Sequence, residues 1–400
     1  MKWRTQSLIH VPEPELQFRF GQQLDYARDG LFLFGPVDAG SPVHRVRYGV
    51  IGTEEGVRQL AAWAQRVRSW IPAPQPRRGA KTLELHHMPF PGFSEAFAAE
   101  WPTRPERVID DIDEAELRAL LNIVNRHEAV KRAVDLFVER LAAEQRRSET
   151  PPAFWFVVVP EFVYTLGRQQ SRPAPNDRVV GQVRISQEDA VRLKTFPSLF
   201  GDSEREAEVY DYVADFRRQL KARLLVHQVV TQLVRESTLH EPGLAEGTSG
   251  AARRKVEDSA TLAWKLGTAA YYKSGGRPWQ LAAVRPGVCY VGLVFKAQPT
   301  RADSRWACCA AQMFMSNGEG VVFRGALGPW KNEESGDFHL NTSAAQQLIR
   351  TVVEEYSLRE GAPPQELFVH AKAACSDEEW EGFRAAVDGR STHVVAVQIY

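Results

Sequence analysis

Apolar positions change their period along the chain, and each change marks a different element. Between Asp113 and Glu144, Leu117, Leu120, Leu121 and Val124, then Val130, Val134, Phe137 and Leu141, recur at the helical interval with charges on the other face. That spacing predicts one long amphipathic helix or two abutting ones. Phe154-Trp155-Phe156-Val157-Val158-Val159-Pro160 is instead continuously apolar and too short for a helix. Such a run fits a central strand of a parallel sheet covered on both faces. A polar loop and a helix from about Glu204 to Leu224 follow, so the region predicts a Rossmann-like α/β unit. Upstream, Leu31-Phe32-Leu33-Phe34 and Val46 to Gly52 read as strands between turn signals at Asp29-Gly30, Gly35-Pro36 and Gly40-Ser41-Pro42. Thr53 before Glu54-Glu55-Gly56 predicts a capped helix with Val57, Leu60, Ala61, Trp63 and Ala64 forming its apolar stripe. The prolines between Ile71 and Pro76 cannot continue it, so a connector begins there.

In the second half, His240 to Ala252 is rich in Gly, Ser and Pro and predicts a loop. From Val288 onward, strand-like stretches at Cys289–Phe295, Cys309–Met315, Gly320–Gly325 and Leu367–Lys372 are joined by turns at Asn317-Gly318 and Gly328-Pro329. A helix from Ala344 to Tyr356 intervenes before the last of these, and Val394 to Tyr400 reads as a further strand. Antiparallel strands, then a helix, then a strand is the RNase-H-like order. The two halves meet at Lys273-Ser274-Gly275-Gly276-Arg277-Pro278-Trp279. Paired glycines permit positive φ and close backbone approach, and the flanking cations suit a phosphate, so this turn is a candidate anion site.

Composition narrows the classes. The 400 residues are 44% hydrophobic, enough for two or three globular domains. Lys+Arg and Asp+Glu both total 50, so no global field attracts nucleic acid and any such site is a local basic channel. The four cysteines, Cys289, Cys308, Cys309 and Cys375, lie in apolar stretches without CxxC spacing and read as reduced core residues. His86-His87 has no third ligand at helical or hairpin spacing and reads as surface or packing. MKWRTQSLIH at the N-terminus lacks a signal-peptide apolar region and no apolar run approaches a membrane span, which predicts a cytoplasmic protein.

Arg217 and Lys221 lie one helical turn apart and can grip a single phosphate, although on spacing alone two such cations are more often solvated helix residues. The surrounding stretches resemble the short prokaryotic Argonautes: Glu13–Phe18, Asp29–Pro36, Phe154–Glu161, Gln219–Thr238, the Lys-x-Gly-Gly-x-Pro-Trp turn, Ala307–Trp330 and Leu367–Phe383 occur in that family's order. The likeness covers essentially the whole chain and is closest to the Argonautes paired with a TIR-domain partner. It implies N-terminal strands and a connector over 1–104, a Rossmann-like MID domain over 105–262 and an RNase-H-like PIWI domain over 263–400, with PIWI continuing past Tyr400 in the family.

In related Argonautes a Tyr or His, a Lys, a Gln and a further Lys hold the 5′-phosphate and first base of the guide strand. Lys221, Gln232 and Lys273 match that pattern, and Arg217 stands at the Tyr/His position, offering a phosphate contact in place of a stacking ring. The resemblance also implies a Mg²⁺ at the guide 5′ end and a guide–target channel lined by Arg277, His370 and Lys372. Active PIWI domains carry a metal-binding Asp where this chain has Val294, after Gly292-Leu293, and another where it has Ala371, between His370 and Lys372. Valine and alanine cannot ligate the Mg²⁺ ions that in-line attack on phosphate needs, so no catalytic residue and no catalytic metal is expected. Asp377, Glu378 and Glu379 read as the start of a helix.

The expected function is that of a catalytically inactive Argonaute that binds a guide RNA and senses complementary single-stranded invader DNA. Its expected partner is an APAZ-containing protein with a TIR-type NAD-hydrolysing effector, assembling further on activation. An APAZ protein with a SIR2-type or nuclease effector is the alternative, and a guided nuclease the rival from the enzyme class.

Overall fold

The computed structural model describes residues 13–40, 43–73, 88–195, 201–239, 257–283, 285–297, 306–315 and 320–399. The readings at His86-His87, His240–Ala252 and Asn317-Gly318 lie outside them. The chain forms two compact units, Leu16–Trp279 and Gln280–Tyr400 with the residues before Leu16.

The first unit opens with a short antiparallel hairpin of β1 (Leu16–Gln17) and β2 (Gln23–Leu24) and then α1 (Ala27–Phe34). Four parallel strands form its sheet: β3 (Tyr48–Ile51), β4 (Arg107–Ile109), β5 (Phe154–Val159) and β6 (Thr231–Arg235), in the order β4-β3-β5-β6. Between β3 and β4 lie α2 (Glu54–Arg66) and α3 (Phe93–Phe97); between β4 and β5, α4 (Glu114–Leu121) and α5 (Arg126–Arg147). Before β6 come α6 (Glu161–Leu166), α7 (Gln187–Thr195), α8 (Gly201–Ala207) and α9 (Phe216–Leu225), and after it α10 (Glu236–Leu239) and α11 (Ser259–Lys273).

All six residues of β5 are buried, and alternation divides them between two cores. Phe154, Phe156 and Val158 join Leu60 and Trp63 of α2 and Trp264 and Tyr271 of α11. Trp155, Val157 and Val159 join Leu117 of α4, Phe137 of α5 and Leu220 of α9. The continuous apolar run is thus a strand with helices on both faces. Neither expected boundary, after 104 or after 262, falls between the units, because β3 pairs within this sheet and α11 packs in its core.

Two elements differ from the reading by pattern. Leu31–Phe34 is the end of helix α1, not a strand: Gly30 lets the Phe18 ring lie where a Cβ would come within 2.1 Å of it. Gly35, at φ +79°, caps the helix by donating to the Leu31 carbonyl. The helix expected from Glu204 to Leu224 is interrupted. The Tyr210 hydroxyl donates to the Ile185 carbonyl at 2.9 Å, and Asp215 starts a new helix by accepting from the Arg218 amide at 2.9 Å. Likewise Asn125 separates α4 from α5 by capping the latter through its side-chain oxygen. Thr53 caps α2 as expected, accepting from the Gly56 amide. Of the apolar stripe expected on α2, Ala61 is exposed.

The second unit contains β7 (Gln280–Leu281), β8 (Val288–Ala297), β9 (Ala307–Phe314), β10 (Gly320–Gly328), α12 (Thr342–Glu360), β11 (Glu366–Ala371), α13 (Asp377–Ala386) and β12 (His393–Gln398). Its five-stranded sheet runs β10-β9-β8-β11-β12, antiparallel through β8 and parallel from β8 to β12. This is the RNase-H-like arrangement. One face, with Cys289, Val291, Leu293, Leu367 and Val369, packs on Ile349 and Val352 of α12 and Phe383 of α13. Cys289 and Cys309 are buried and Cys375 is half-buried, as read from their apolar surroundings. Among the described residues no helix is long and apolar enough to cross a membrane.

Candidate nucleic-acid interface

In a parallel sheet the usual ligand position is the carboxyl end of the strands where their order reverses, here between β3 and β5. That place is filled by the chain itself. The Thr53 hydroxyl donates to Glu236 Oε1 at 2.7 Å, and burial raises the Glu236 pKa.

The cationic residues gather instead at the outer strand β6. Lys273, the last residue of α11, reaches it from one face of the sheet, and its ammonium donates to the Thr231 carbonyl at 2.9 Å and to Gln232 Oε1 at 2.5 Å. Arg217 and Lys221 stand on α9, which packs on the other face. The three cations feel one another. Burial, then Lys221, then Arg217 depress the Lys273 pKa to about 8, and burial followed by Arg217 lowers that of Lys221. Among the described residues no carboxylate pairs with Arg217, Lys221 or Lys273. The structure therefore brings together all four residues expected to hold a 5′-phosphate.

Three local costs accumulate here. Like charges at i,i+4 repel, Arg217 adds a cation to the first turn of α9 against the helix dipole, and Lys273 is desolvated. A phosphate among these cations would offset the repulsion and pair the desolvated ammonium. The lowered pKa is also a stability effect: a lysine whose pKa is lower folded than unfolded destabilises the fold below about pH 8, and this lessens as pH rises toward the unfolded value. Preference for a 5′-phosphate should run the other way. It should be greatest between about pH 6, where the phosphate takes its second charge, and about pH 8, and fall at higher pH as Lys273 loses its proton. Titrating a 5′-phosphorylated oligonucleotide from pH 6 to 9.5 checks this; an unchanged preference above pH 8 contradicts it.

The glycine turn does not cradle an anion with its backbone. The amides of Ser274, Gly275 and Gly276 donate to the Ala270, Tyr272 and Tyr271 carbonyls, and that of Arg277 to Asp38 Oδ2 at 2.7 Å. The turn is the C-terminal cap of α11, with Gly275 at φ +95°, and it contributes to the site by ending the helix at Lys273. Among the described residues the groups around Lys273 are cations, an amide and a carbonyl, so the protein oxygens that could face a Mg²⁺ held by a phosphate are Gln232 Oε1 and the Thr231 carbonyl.

In the second unit, Val294 is 59% exposed on the open face of β8. The register places His370 opposite Gly292, and the Tyr290 ring stacks on Phe368 at 5.4 Å and meets His370 edge-on at 6.1 Å, so these side chains share that face. Ala371 packs on the opposite, helix-covered side. Val294 and Ala371, read from sequence as one lost carboxylate pair, thus lie on different faces. His370 and Lys372 line an open cleft with Tyr290, Gly292 and Phe314, and Ala371, at the end of β11, reaches its edge. Arg277 lies in the other unit, half-buried beside Asp38. Glu379 is engaged as the start of α13: it accepts from the Ser376 and Leu340 amides and pairs with His339, each at 3.0 Å.

No known family profile matches the chain, and no curated protein sequence is similar to it. Solved structures are. Clostridium butyricum Argonaute bound to a guide DNA (5′ deoxycytidine) and a 19-mer target DNA aligns over 97% of this chain and 39% of its own length, at 13% identity and a TM-score of 0.50. The A. aeolicus Argonaute structure aligns over 96% of this chain and 38% of its own, at 10% identity and a TM-score of 0.48. The chain thus spans 39% and 38% of the lengths of these proteins. Its mixed α/β architecture, with a parallel-sheet unit followed by an RNase-H-like sheet, is an Argonaute-like fold.

Proposed function

We propose that this chain binds the 5′-phosphorylated end of a guide strand at Arg217, Lys221, Gln232 and Lys273, and uses the guide to sense complementary single-stranded DNA without cutting it. The observation that carries this reading is the meeting of Lys273 with Gln232 beside two further cations that no described carboxylate neutralises. A net charge of zero makes such a local excess the only kind available. Sequence recognition then resides in base pairing, while the protein reads phosphate and shape. The non-cutting part is supported by Val294 itself, an apolar side chain on the open face whose register partner on β9 is Ala310, and by Glu379, whose oxygens hold a helix start. Output then falls to a separate chain, and the resemblance to short Argonautes points to an APAZ-containing partner carrying a TIR-type NAD-hydrolysing effector.

The experiment pairs a titration with a cleavage assay. Wild-type protein should bind a 5′-phosphorylated RNA more tightly than the same strand with a 5′-hydroxyl. With that guide, a matched DNA target and Mg²⁺ or Mn²⁺, the target should remain intact. Equal affinity for both strands removes the phosphate site, and guide-dependent cutting at one position removes the non-cutting reading.

A further inference from the structure

Lys273 is the last residue of α11, and the last turn of a helix frays unless something closes it. The amides of its own turn close the last carbonyls, and a second tie comes from far away in sequence. The Asp38 carboxylate accepts from the Tyr271 hydroxyl through Oδ1 and from the Arg277 amide through Oδ2, both at 2.7 Å. Its loop is tied down as well, since the Val37 amide donates to the Pro278 carbonyl at 3.2 Å. Between the two anchored points the chain passes under the Tyr271 ring. A Cβ on Gly276 would stand 2.4 Å from the ring, so the close approach depends on glycine. Tyr271 and Arg277 flank Lys273 and its turn, and one carboxylate holds both.

We propose that Asp38 is a positioning residue for the phosphate site, fixing the end of α11 so that the Lys273 ammonium is directed at Gln232 and the ligand rather than at open solvent. The inference rests on reading the cluster as a phosphate site. Asp38 does not hold the core together: the Tyr271 ring is buried and stacked on Phe97 at 5.2 Å independently of its hydroxyl. Losing the carboxylate leaves that packing and the turn's backbone bonds in place and removes only the ties to Tyr271 and Arg277. Asparagine distinguishes position from charge. Its oxygen can accept from the Arg277 amide while its NH₂ donates to the Tyr271 oxygen, so both links persist without the negative charge.

The test compares wild type, Asp38→Ala, Asp38→Asn and Tyr271→Phe, titrating each with one RNA sequence bearing a 5′-phosphate or a 5′-hydroxyl and recording thermal melting. Asp38→Ala should reduce the phosphate preference about tenfold, Tyr271→Phe by less, and Asp38→Asn should keep most of it. A merely structural role would shift melting and weaken both strands alike. Wild-type preference in Asp38→Ala overturns the proposal, as does equal loss in Asp38→Asn, which would assign the effect to charge. Should Asp38→Ala fail to fold, an unchanged preference in Tyr271→Phe overturns it. If wild type itself shows no preference, the phosphate site falls instead.

Discussion

Replacing Lys221 and Lys273 together by alanine should weaken binding of a 5′-phosphorylated guide by on the order of a hundredfold or more, because charge-assisted hydrogen bonds contribute about 1.5–3 kcal/mol each. The loss should be much smaller for the same strand with a 5′-hydroxyl. Lys273 has a second reason to matter. Its ammonium occupies Gln232 Oε1 and the Thr231 carbonyl, so removing it also frees the amide side chain that helps frame the site. Truncation should not harm the fold, since burial and the two neighbouring cations already disfavour the charged form of Lys273. The double variant should therefore melt at or slightly above the wild-type temperature while binding poorly, a combination that core damage cannot produce. Contacts to the strand backbone alone would weaken both guides equally and flatten the salt dependence. Equal losses for the two guides would place the phosphate elsewhere.

How far the sequence revealed this site depends on which contacts are local. Arg217 and Lys221 share a helix face, so their spacing announces a paired cation even though the helix begins at Phe216 rather than near Glu204. Lys273 and Gln232 lie far apart in the chain, and their meeting was implied only by resemblance to a family. Nothing in the pattern could show that a backbone carbonyl, that of Thr231, completes the lysine's contacts, or that Asp38 holds the turn. The fold divides in the same way. The apolar run of β5 is legible because burial on both faces leaves no polar position. Leu31–Phe34 is not, because four apolar residues fit a strand or a buried helix equally, and the deciding contact is the Phe18 ring against Gly30. At Val294 and Ala371 the side chains are as read, but the register of β11 against β8 sets which face each occupies, and register is a tertiary property.

The largest stability loss should come from Trp101→Ala. Trp101 is 1% exposed and touches four other rings, with centroids at 5.3 Å for Tyr48 and Trp63, 4.9 Å for Phe93 and 6.3 Å for Phe156. These rings come from β3, α2, α3 and β5, so one side chain joins four elements of the first unit. Truncating such a tryptophan costs about 3–5 kcal/mol, through lost transfer energy and the cavity left behind. In a unit of this size that corresponds to a fall in melting temperature of roughly 6–20 °C. The exposed Trp70, at 58%, provides the contrast, and Trp70→Ala should change stability by less than about 1 kcal/mol. Function should follow folding. Trp264 and Tyr271 of α11 belong to the same core, and Lys273 ends that helix, so the platform of the phosphate site melts with the cluster. Below its lowered midpoint, Trp101→Ala should keep its preference for a 5′-phosphate over a 5′-hydroxyl strand; across the transition the preference should disappear together with the helical signal. Circular dichroism and strand binding followed over the same temperature range test this, and a variant that melts within about 2 °C of wild type would show that the ring cluster does not hold the unit together.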